Sequence, residues 1–153
     1  MYRITKEVSI EASHCLSSMP EGHPCKRLHG HTYKVEVGLA SEQLGVDGFV
    51  VDFGAISSII RQYDHQYLGD DLVAFHSQCN PGDGVIAPLP VWQQGLIPAP
   101  LPATAEVFAR VIADRVQVEI LNPLNLHGHK SSFIYLEYVT VCETGSTTAR
   151  FTP

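Results

Sequence analysis

Two segments of the chain alternate strictly between apolar and polar residues, and this pattern restricts the fold more than any other. Residues 32–40 place four apolar side chains on one face, namely Tyr33, Val35, Val37 and Leu39. Residues 131–142 repeat the alternation, and one face there carries Phe133, Tyr135, Glu137, Val139, Val141 and, just beyond, Glu143. A period of two residues predicts strands that bury one face. Further strands are predicted at 2–10 and, after a turn at 45–48, at 49–52.

Two other segments repeat with the period of a helix. The apolar residues of 54–63 that share a side are Ile56, Ile59 and Ile60. The apolar stripe of 104–121 consists of Val107, Phe108, Val111, Ile112 and Val116. These spacings predict two amphipathic helices. Since strands precede and follow the helices, we expect an α+β domain with a largely antiparallel sheet.

Length and charge exclude several classes of protein. The 153 residues have the length of one domain, which we assign to 1–153. The 10 Lys and Arg against 16 Asp and Glu give a net charge of −6, which argues against a nucleic-acid partner because phosphate binding takes basic residues. No run of about 20 apolar residues is present to span a membrane, and residues 1–10 do not resemble a signal peptide. We therefore expect a cytoplasmic protein whose four cysteines are thiols, metal ligands or a catalytic thiol.

One segment, 72–101, fits neither a helix nor a strand. Six of the ten prolines fall within 79–102, and Asp83 carries the only formal charge from residue 72 to residue 105. This composition is too apolar for an ordinary flexible linker. We predict a long ordered loop, packed on the domain or on a partner subunit, and loops of this length often serve a function.

Histidines near the start of the 32–40 strand indicate a metal site. His29 and His31 are separated by one residue, so on a strand both imidazoles point to the same face. His14, upstream, can supply a third nitrogen ligand. Three protein ligands with one open position are typical of catalytic zinc. The alternative is a pair of surface histidines at the end of a strand.

A thiol lies close to this cluster in the sequence. Cys25 precedes His29 by four residues and is followed by Lys26 and Arg27. Positive charge beside a thiol lowers its pKa and favours the thiolate, which can act as a general base or a nucleophile. A structural or metal-ligating cysteine is the alternative.

Six blocks of the sequence, in order, resemble the 6-pyruvoyltetrahydropterin synthase / 6-carboxytetrahydropterin synthase family, and within it the bacterial 6-carboxytetrahydropterin synthases. The blocks are 11–14 (Glu-Ala-Ser-His), 20–31 (Pro-Glu-Gly-His-Pro-Cys through His-Gly-His), 48–53 (Gly-Phe-Val-Val-Asp-Phe), 64–68 (Asp-His-Gln-Tyr-Leu), 102–106 (Pro-Ala-Thr-Ala-Glu) and 139–144 (Val-Thr-Val-Cys-Glu-Thr). The resemblance implies a tunnelling fold, in which a four-stranded antiparallel sheet carries two helices on one face. It also implies a homo-oligomeric barrel, a trimer or a hexamer, with active sites between subunits.

The resemblance further implies a role for each site residue. His14, His29 and His31 would hold Zn²⁺, and Cys25 would abstract a proton. Asp64 and His65 would form a proton relay, and Glu143 would bind the guanidine-like edge of a pterin, with Thr104 and Glu106 nearby. Without the resemblance, Asp64 and His65 could cap the end of a helix, and Glu143 could be a solvated strand end.

The implied reaction converts 7,8-dihydroneopterin triphosphate to 6-carboxy-5,6,7,8-tetrahydropterin, with release of triphosphate and acetaldehyde, on the path to queuosine-type 7-deazaguanines. The alternatives are the 6-pyruvoyl reaction, aldolase-like cleavage of a related reduced pterin, and a non-catalytic zinc-containing module that binds a pterin or purine. Four features depart from the family pattern. Ala103 separates Pro102 from Thr104, Gly69-Asp70-Asp71 follows Leu68 where the family often has an Asn-Asp pair, the 72–101 loop is long, and His127 and His129 match no motif.

Overall fold

The computed structural model describes residues 1–69, 102–126 and 134–153 of the chain. The predictions for the 72–101 loop and for His127 and His129 lie outside these described residues. In the described part, no helix combines the length and the apolar character needed to cross a membrane.

The described elements form one five-stranded sheet with helices on one face. The strands are β1 (Tyr2–His14), β2 (His29–Ser41), β3 (Gln66–Tyr67), β4 (Ile134–Thr144) and β5 (Thr147–Phe151), in the spatial order β3-β1-β2-β4-β5. All neighbouring strands are antiparallel except β3, which is parallel to β1. The helices are α1 (Phe53–Arg61) and α2 (Ala105–Val116), and α2 continues through a π-helical turn (Gln117–Leu121) into a short helix (Asn122–Leu126).

The helices cover the face of the sheet that the alternation of β2 predicts to be buried. The apolar residues on this face of β2, Tyr33, Val35, Val37 and Leu39, are all at most 1% exposed. The α1 isoleucines are buried against them, as are Phe108, Val111, Ile112 and Val116 of α2, while Val107 is partly buried. The α+β class and the two amphipathic helices are therefore confirmed.

The predicted strand at 49–52 is wrong. These residues form the connection between β2 and α1, where Gly48 N–H donates to the carbonyl oxygen of Gly45 and Gly48 takes a φ of +84°. Asp52 caps α1 by accepting a hydrogen bond from Gly54 N–H at 2.8 Å. Val50 and Val51 are buried without pairing in the sheet, so their apolar character reflects packing. The sheet instead gains β3 and β5, which raises the predicted four strands to five.

An irregularity in β4 reverses part of its predicted face. Gly38 pairs with Tyr138 but Leu39 pairs with Leu136, so β4 holds one extra residue at Glu137. An extra residue shifts the alternation by one position. Ile134 and Leu136 are consequently buried before it, whereas Tyr135 is exposed and Glu137 pairs with exposed Arg3 at 2.8 Å. The prediction that Tyr135 and Glu137 share a face with Val139 is therefore wrong. The prediction that Val139 and Val141 share a face is confirmed, since both are buried.

Candidate metal centre and its surroundings

Three histidines meet where β1 ends and β2 begins. His14 pairs with His29 across the two strands, and His31 follows two residues later on the same face. One nitrogen from each ring lies within 4.8 Å of the corresponding nitrogens of the other two. The structure therefore brings together the three predicted ligands, and the alternative of two surface histidines at a strand end does not describe them, since His14 is only 2% exposed.

Two of these rings are fixed in orientation by main-chain carbonyl groups. His14 Nδ1 lies 2.6 Å from the carbonyl oxygen of Ala103, and His29 Nδ1 lies 2.7 Å from that of Arg27. A carbonyl oxygen only accepts hydrogen bonds, so each Nδ1 must carry the proton. The Nε2 atom of each neutral ring is then left with a lone pair.

The two lone pairs face each other, which calls for a cation between them. His14 Nε2 and His29 Nε2 are 3.0 Å apart, and neither can donate to the other while both rings are neutral. Burial lowers the pKa of His14 below its ordinary value, so its ring is neutral at neutral pH. Neutral imidazoles held by Nδ1–H···O bonds are the usual form of histidine at a metal. These residues thus fit a metal ion.

A carboxylate adjoins the same cluster. Glu143 Oε1 lies 3.4 Å from His14 Nε2 and 3.6 Å from His31 Nε2. Tyr33, buried below the site, donates its hydroxyl to this oxygen at 3.3 Å. Burial, and after it the charge of Glu143, raises the pKa of Tyr33, so its hydroxyl stays a donor. Glu143 is therefore more than a solvated strand end, because it faces the histidines.

Cys25 lies in a short turn between β1 and β2. It occupies the 3₁₀ turn Pro24–Lys26, and its side chain is partly buried and forms no disulfide. Its carbonyl oxygen accepts a hydrogen bond from Leu16 N–H at 2.8 Å, which ties the turn to the chain just after His14. Among the described residues, the thiol does not belong to the group of converging ligand atoms.

Asp64 and His65 form a contact of the kind a proton relay needs. Asp64 Oδ1 lies 3.1 Å from His65 Nδ1 and accepts a hydrogen bond from Glu11 N–H at 2.9 Å. The hydrogen bond from this amide lowers the pKa of Asp64, and the neighbouring His65 and Arg61 lower it further. The carboxyl group of Asp64 is therefore ionised at neutral pH. His65 adopts a φ of +58° and donates its N–H to the carbonyl oxygen of Glu11 at 2.6 Å. A left-handed residue other than glycine that is held in this way is often functional.

The relay pair is not bonded to Cys25 in the described part of the chain. Among the described residues, no hydrogen bond or ion pair joins Cys25 to Asp64 or His65. The imidazole of His65 is 78% exposed and lines an open cavity of about 400 Å³, which Gly30 and His31 also line. His65 is thus free to act on a molecule bound at the surface.

Thr104 and Glu106 begin α2 near the histidines. Thr104 caps the helix by accepting a hydrogen bond from Val107 N–H at 3.4 Å, and Glu106 lies exposed in the first turn. Ala103, one residue earlier, supplies the carbonyl oxygen that holds His14. The helix start is therefore part of the support of the metal centre, while its contribution to substrate binding stays a prediction.

Three supporting groups were not predicted from the sequence. They are the carbonyl oxygens of Arg27 and Ala103 and the hydroxyl of Tyr33. The carbonyl groups give no sequence signal because every residue has one. Tyr33 carried a signal, since it continues the face of His29 and His31, but its apolar ring was counted only toward the core.

The sequence matches a family model described as 6-pyruvoyl tetrahydropterin synthase over residues 3–153. A 6-carboxy-5,6,7,8-tetrahydropterin synthase of Bacillus subtilis is 30% identical over 117 residues, which make up 76% of this chain and 66% of that protein, just under two thirds of it. A probable 6-carboxy-5,6,7,8-tetrahydropterin synthase of Halobacterium salinarum is 31% identical over 147 residues, covering 94% of this chain and 82% of that protein.

Solved structures show the same fold over almost the whole chain. The 6-pyruvoyl tetrahydropterin synthase of Caenorhabditis elegans superposes with a TM-score of 0.62 at 19% identity, covering 99% of this chain and 95% of that one. The enzyme of that name from Plasmodium vivax gives a TM-score of 0.60 at 22% identity, covering 99% and 97%. These likenesses confirm the predicted tunnelling fold, while the number of subunits stays a prediction. Because the family model extends over nearly every residue, the chain belongs to the 6-pyruvoyl tetrahydropterin synthase family.

Proposed function

We propose that this protein is a zinc-dependent carbon–oxygen lyase that converts 7,8-dihydroneopterin triphosphate to 6-carboxy-5,6,7,8-tetrahydropterin, releasing triphosphate and acetaldehyde. The observation that carries the proposal is the convergence of three imidazoles, two of them held in the metal-binding tautomer, in a chain whose curated relatives are named 6-carboxy-5,6,7,8-tetrahydropterin synthases. The product would enter 7-deazaguanine synthesis of the queuosine type.

His14, His29 and His31 would hold the zinc ion. When bound, Zn²⁺ supplies Lewis acidity toward a substrate oxygen. The side chains around the zinc ion carry out proton transfer and substrate binding. Cys25 removes a proton from the substrate side chain as the general base.

The relay pair moves the second proton. Asp64, ionised and held by the amide of Glu11, orients the imidazole of His65. The carboxylate of Glu143 binds the N–H groups along the guanidine-like edge of the pterin. Thr104 and Glu106 flank that edge from the start of α2.

The product mixture tests the proposal. Incubation of the zinc-loaded protein with 7,8-dihydroneopterin triphosphate should yield triphosphate and acetaldehyde in equal amounts, measured by phosphate analysis and by an alcohol dehydrogenase assay. The matched control is the His14→Ala variant loaded in the same way. Triphosphate release without acetaldehyde would contradict the carboxy reaction in favour of the 6-pyruvoyl reaction, the name that the family description and both solved structures carry.

Turnover of unphosphorylated dihydroneopterin much faster than that of the triphosphate would instead indicate aldolase-like cleavage. A complete lack of turnover with bound zinc would indicate a binding module.

The lack of a hydrogen bond or ion pair between Cys25 and His65 among the described residues of one chain supports sites shared between subunits. We expect the Cys25→Ala and His65→Ala variants to be nearly inactive alone. Co-expressed hybrids should recover about a quarter of wild-type turnover, since about a quarter of shared sites then combine two intact contributions. Hybrids that stay as inactive as either parent would place both residues in a site made by one chain.

A further inference from the structure

Both main-chain polar groups of Cys25 are held by hydrogen bonds. Its carbonyl oxygen accepts from Leu16 N–H at 2.8 Å, which ties the residue to the chain just after β1. Its N–H donates to Nδ1 of the His23 imidazole at 3.1 Å. The first bond joins backbone atoms, whereas the second exists because residue 23 has an acceptor in its side chain. The imidazole of His23 is therefore a side-chain support of the Cys25 backbone.

His23 is also the N-cap of the 3₁₀ turn Pro24–Lys26, which contains Cys25. Its backbone is extended, with φ −68° and ψ 132°, as is usual for an N-cap, and its carbonyl oxygen accepts from Lys26 N–H at 3.0 Å. Its own N–H donates to the carbonyl oxygen of Pro20 at 3.1 Å. Because a 3₁₀ turn of three residues contains few hydrogen bonds, the cap is a large part of what holds it.

The imidazole of His23 is in a different tautomer from two imidazoles of the metal centre. Its Nδ1 accepts the N–H of Cys25, so the proton of the neutral ring lies on Nε2. His14 and His29 carry their protons on Nδ1 and leave Nε2 for a metal. Among the described residues, the exposed His23 is outside the group of converging ligand atoms. Its imidazole serves as a cap.

We propose that His23 is a positioning residue for Cys25, because its imidazole holds the main chain of the thiol in place for proton abstraction. This inference rests on the proposed function, in which Cys25 is the general base. A base must lie within hydrogen-bond reach of the proton that it removes, and a small displacement of a catalytic group slows a reaction strongly. His23→Asn preserves the support, since an asparagine oxygen accepts the same N-cap bond, whereas His23→Ala removes it.

These two variants test the inference. In His23→Ala we expect kcat for 7,8-dihydroneopterin triphosphate to fall by about 10–100-fold, with little change in KM because His23 acts through Cys25. We also expect amide hydrogen exchange at Cys25 to become about 5-fold faster, the factor that corresponds to an ordinary N-cap. His23→Asn should return both values to near those of wild type. Steady-state kinetics and exchange followed by NMR or mass spectrometry measure them.

Glu21→Gln is the matched control. Its 92% exposed carboxylate pairs with Lys26 at 2.7 Å without capping the turn, so this variant should keep both readouts. Far-ultraviolet circular dichroism should show that every variant is folded. Wild-type kcat in His23→Ala overturns the inference, even if exchange is faster, and so does His23→Asn as impaired as His23→Ala. In both cases the proposed lyase stands, whereas wild-type protein without turnover removes both.

Discussion

Replacing Cys25 with alanine should lower the turnover of 7,8-dihydroneopterin triphosphate by about 10²–10⁴-fold, the usual contribution of a general base. The proton that Cys25 removes would have to pass to water, which is a weaker and less well placed base. Zinc affinity should stay within error of wild type, because the thiol does not belong to the converging ligand atoms. Steady-state kinetics and zinc titration of the same preparation measure both effects.

Cys142→Ala provides the control for loss of a thiol. Cys142 is also free and partly buried, and it donates its Sγ–H to the carbonyl oxygen of Thr144 rather than facing the histidines. We expect this variant to turn over substrate at close to the wild-type rate. Equal activity of Cys25→Ala and Cys142→Ala would assign the base to another group. A large loss of zinc in Cys25→Ala would make the thiol a ligand, in contrast to the structure.

The second large effect concerns stability. Phe108→Ala should lower the free energy of unfolding by about 3–5 kcal/mol, the range for truncating a buried aromatic residue. Phe108 is 1% exposed on α2, and its ring meets Tyr33 edge-on at 5.7 Å and Tyr63 at 5.1 Å between centroids. The variant therefore loses apolar burial and leaves a cavity between α2, β2 and the end of α1. Urea unfolding of the zinc-free protein measures the difference.

Phe53→Ala is the comparison for Phe108→Ala. Phe53 begins α1 and is 47% exposed, so its truncation should cost far less than that of Phe108. Similar losses in the two variants would mean that the core does not centre on the contact of α2 with β2.

Periodicity predicted the parts of the fold in which one face packs regularly. Residues 32–40 and both helices obey it because each presents a single continuous face to the core. The predicted face of β4 is wrong before Glu137, because one inserted residue reverses the alternation there. The sequence on both sides of Glu137 still has the pattern of a strand, so it gives no sign of the insertion. The short β5 was missed because Ala149 is its only buried side chain.

The candidate metal site was predictable only where its residues are side chains of a regular strand. His29 and His31 must share a face once they lie on β2, and His14 pairs directly with His29. The proximity of Glu143 to them depends on the pairing of β2 with β4, which lies more than a hundred residues away in sequence and cannot be derived from spacing. Likewise, the roles of Cys25, Asp64 and His65 stay predictions that the variants above address.

The reliance of His14 and His29 on main-chain acceptors has an evolutionary consequence. The main-chain carbonyl oxygen of a residue is retained when its side chain is substituted. Related sequences can therefore differ at these two positions and still hold both imidazole rings in the same orientation. Arg27 is exposed and can drift widely, whereas Ala103 is 4% exposed and admits only small replacements. The alanine between Pro102 and Thr104, which departs from the family pattern, therefore leaves the orientation of His14 intact.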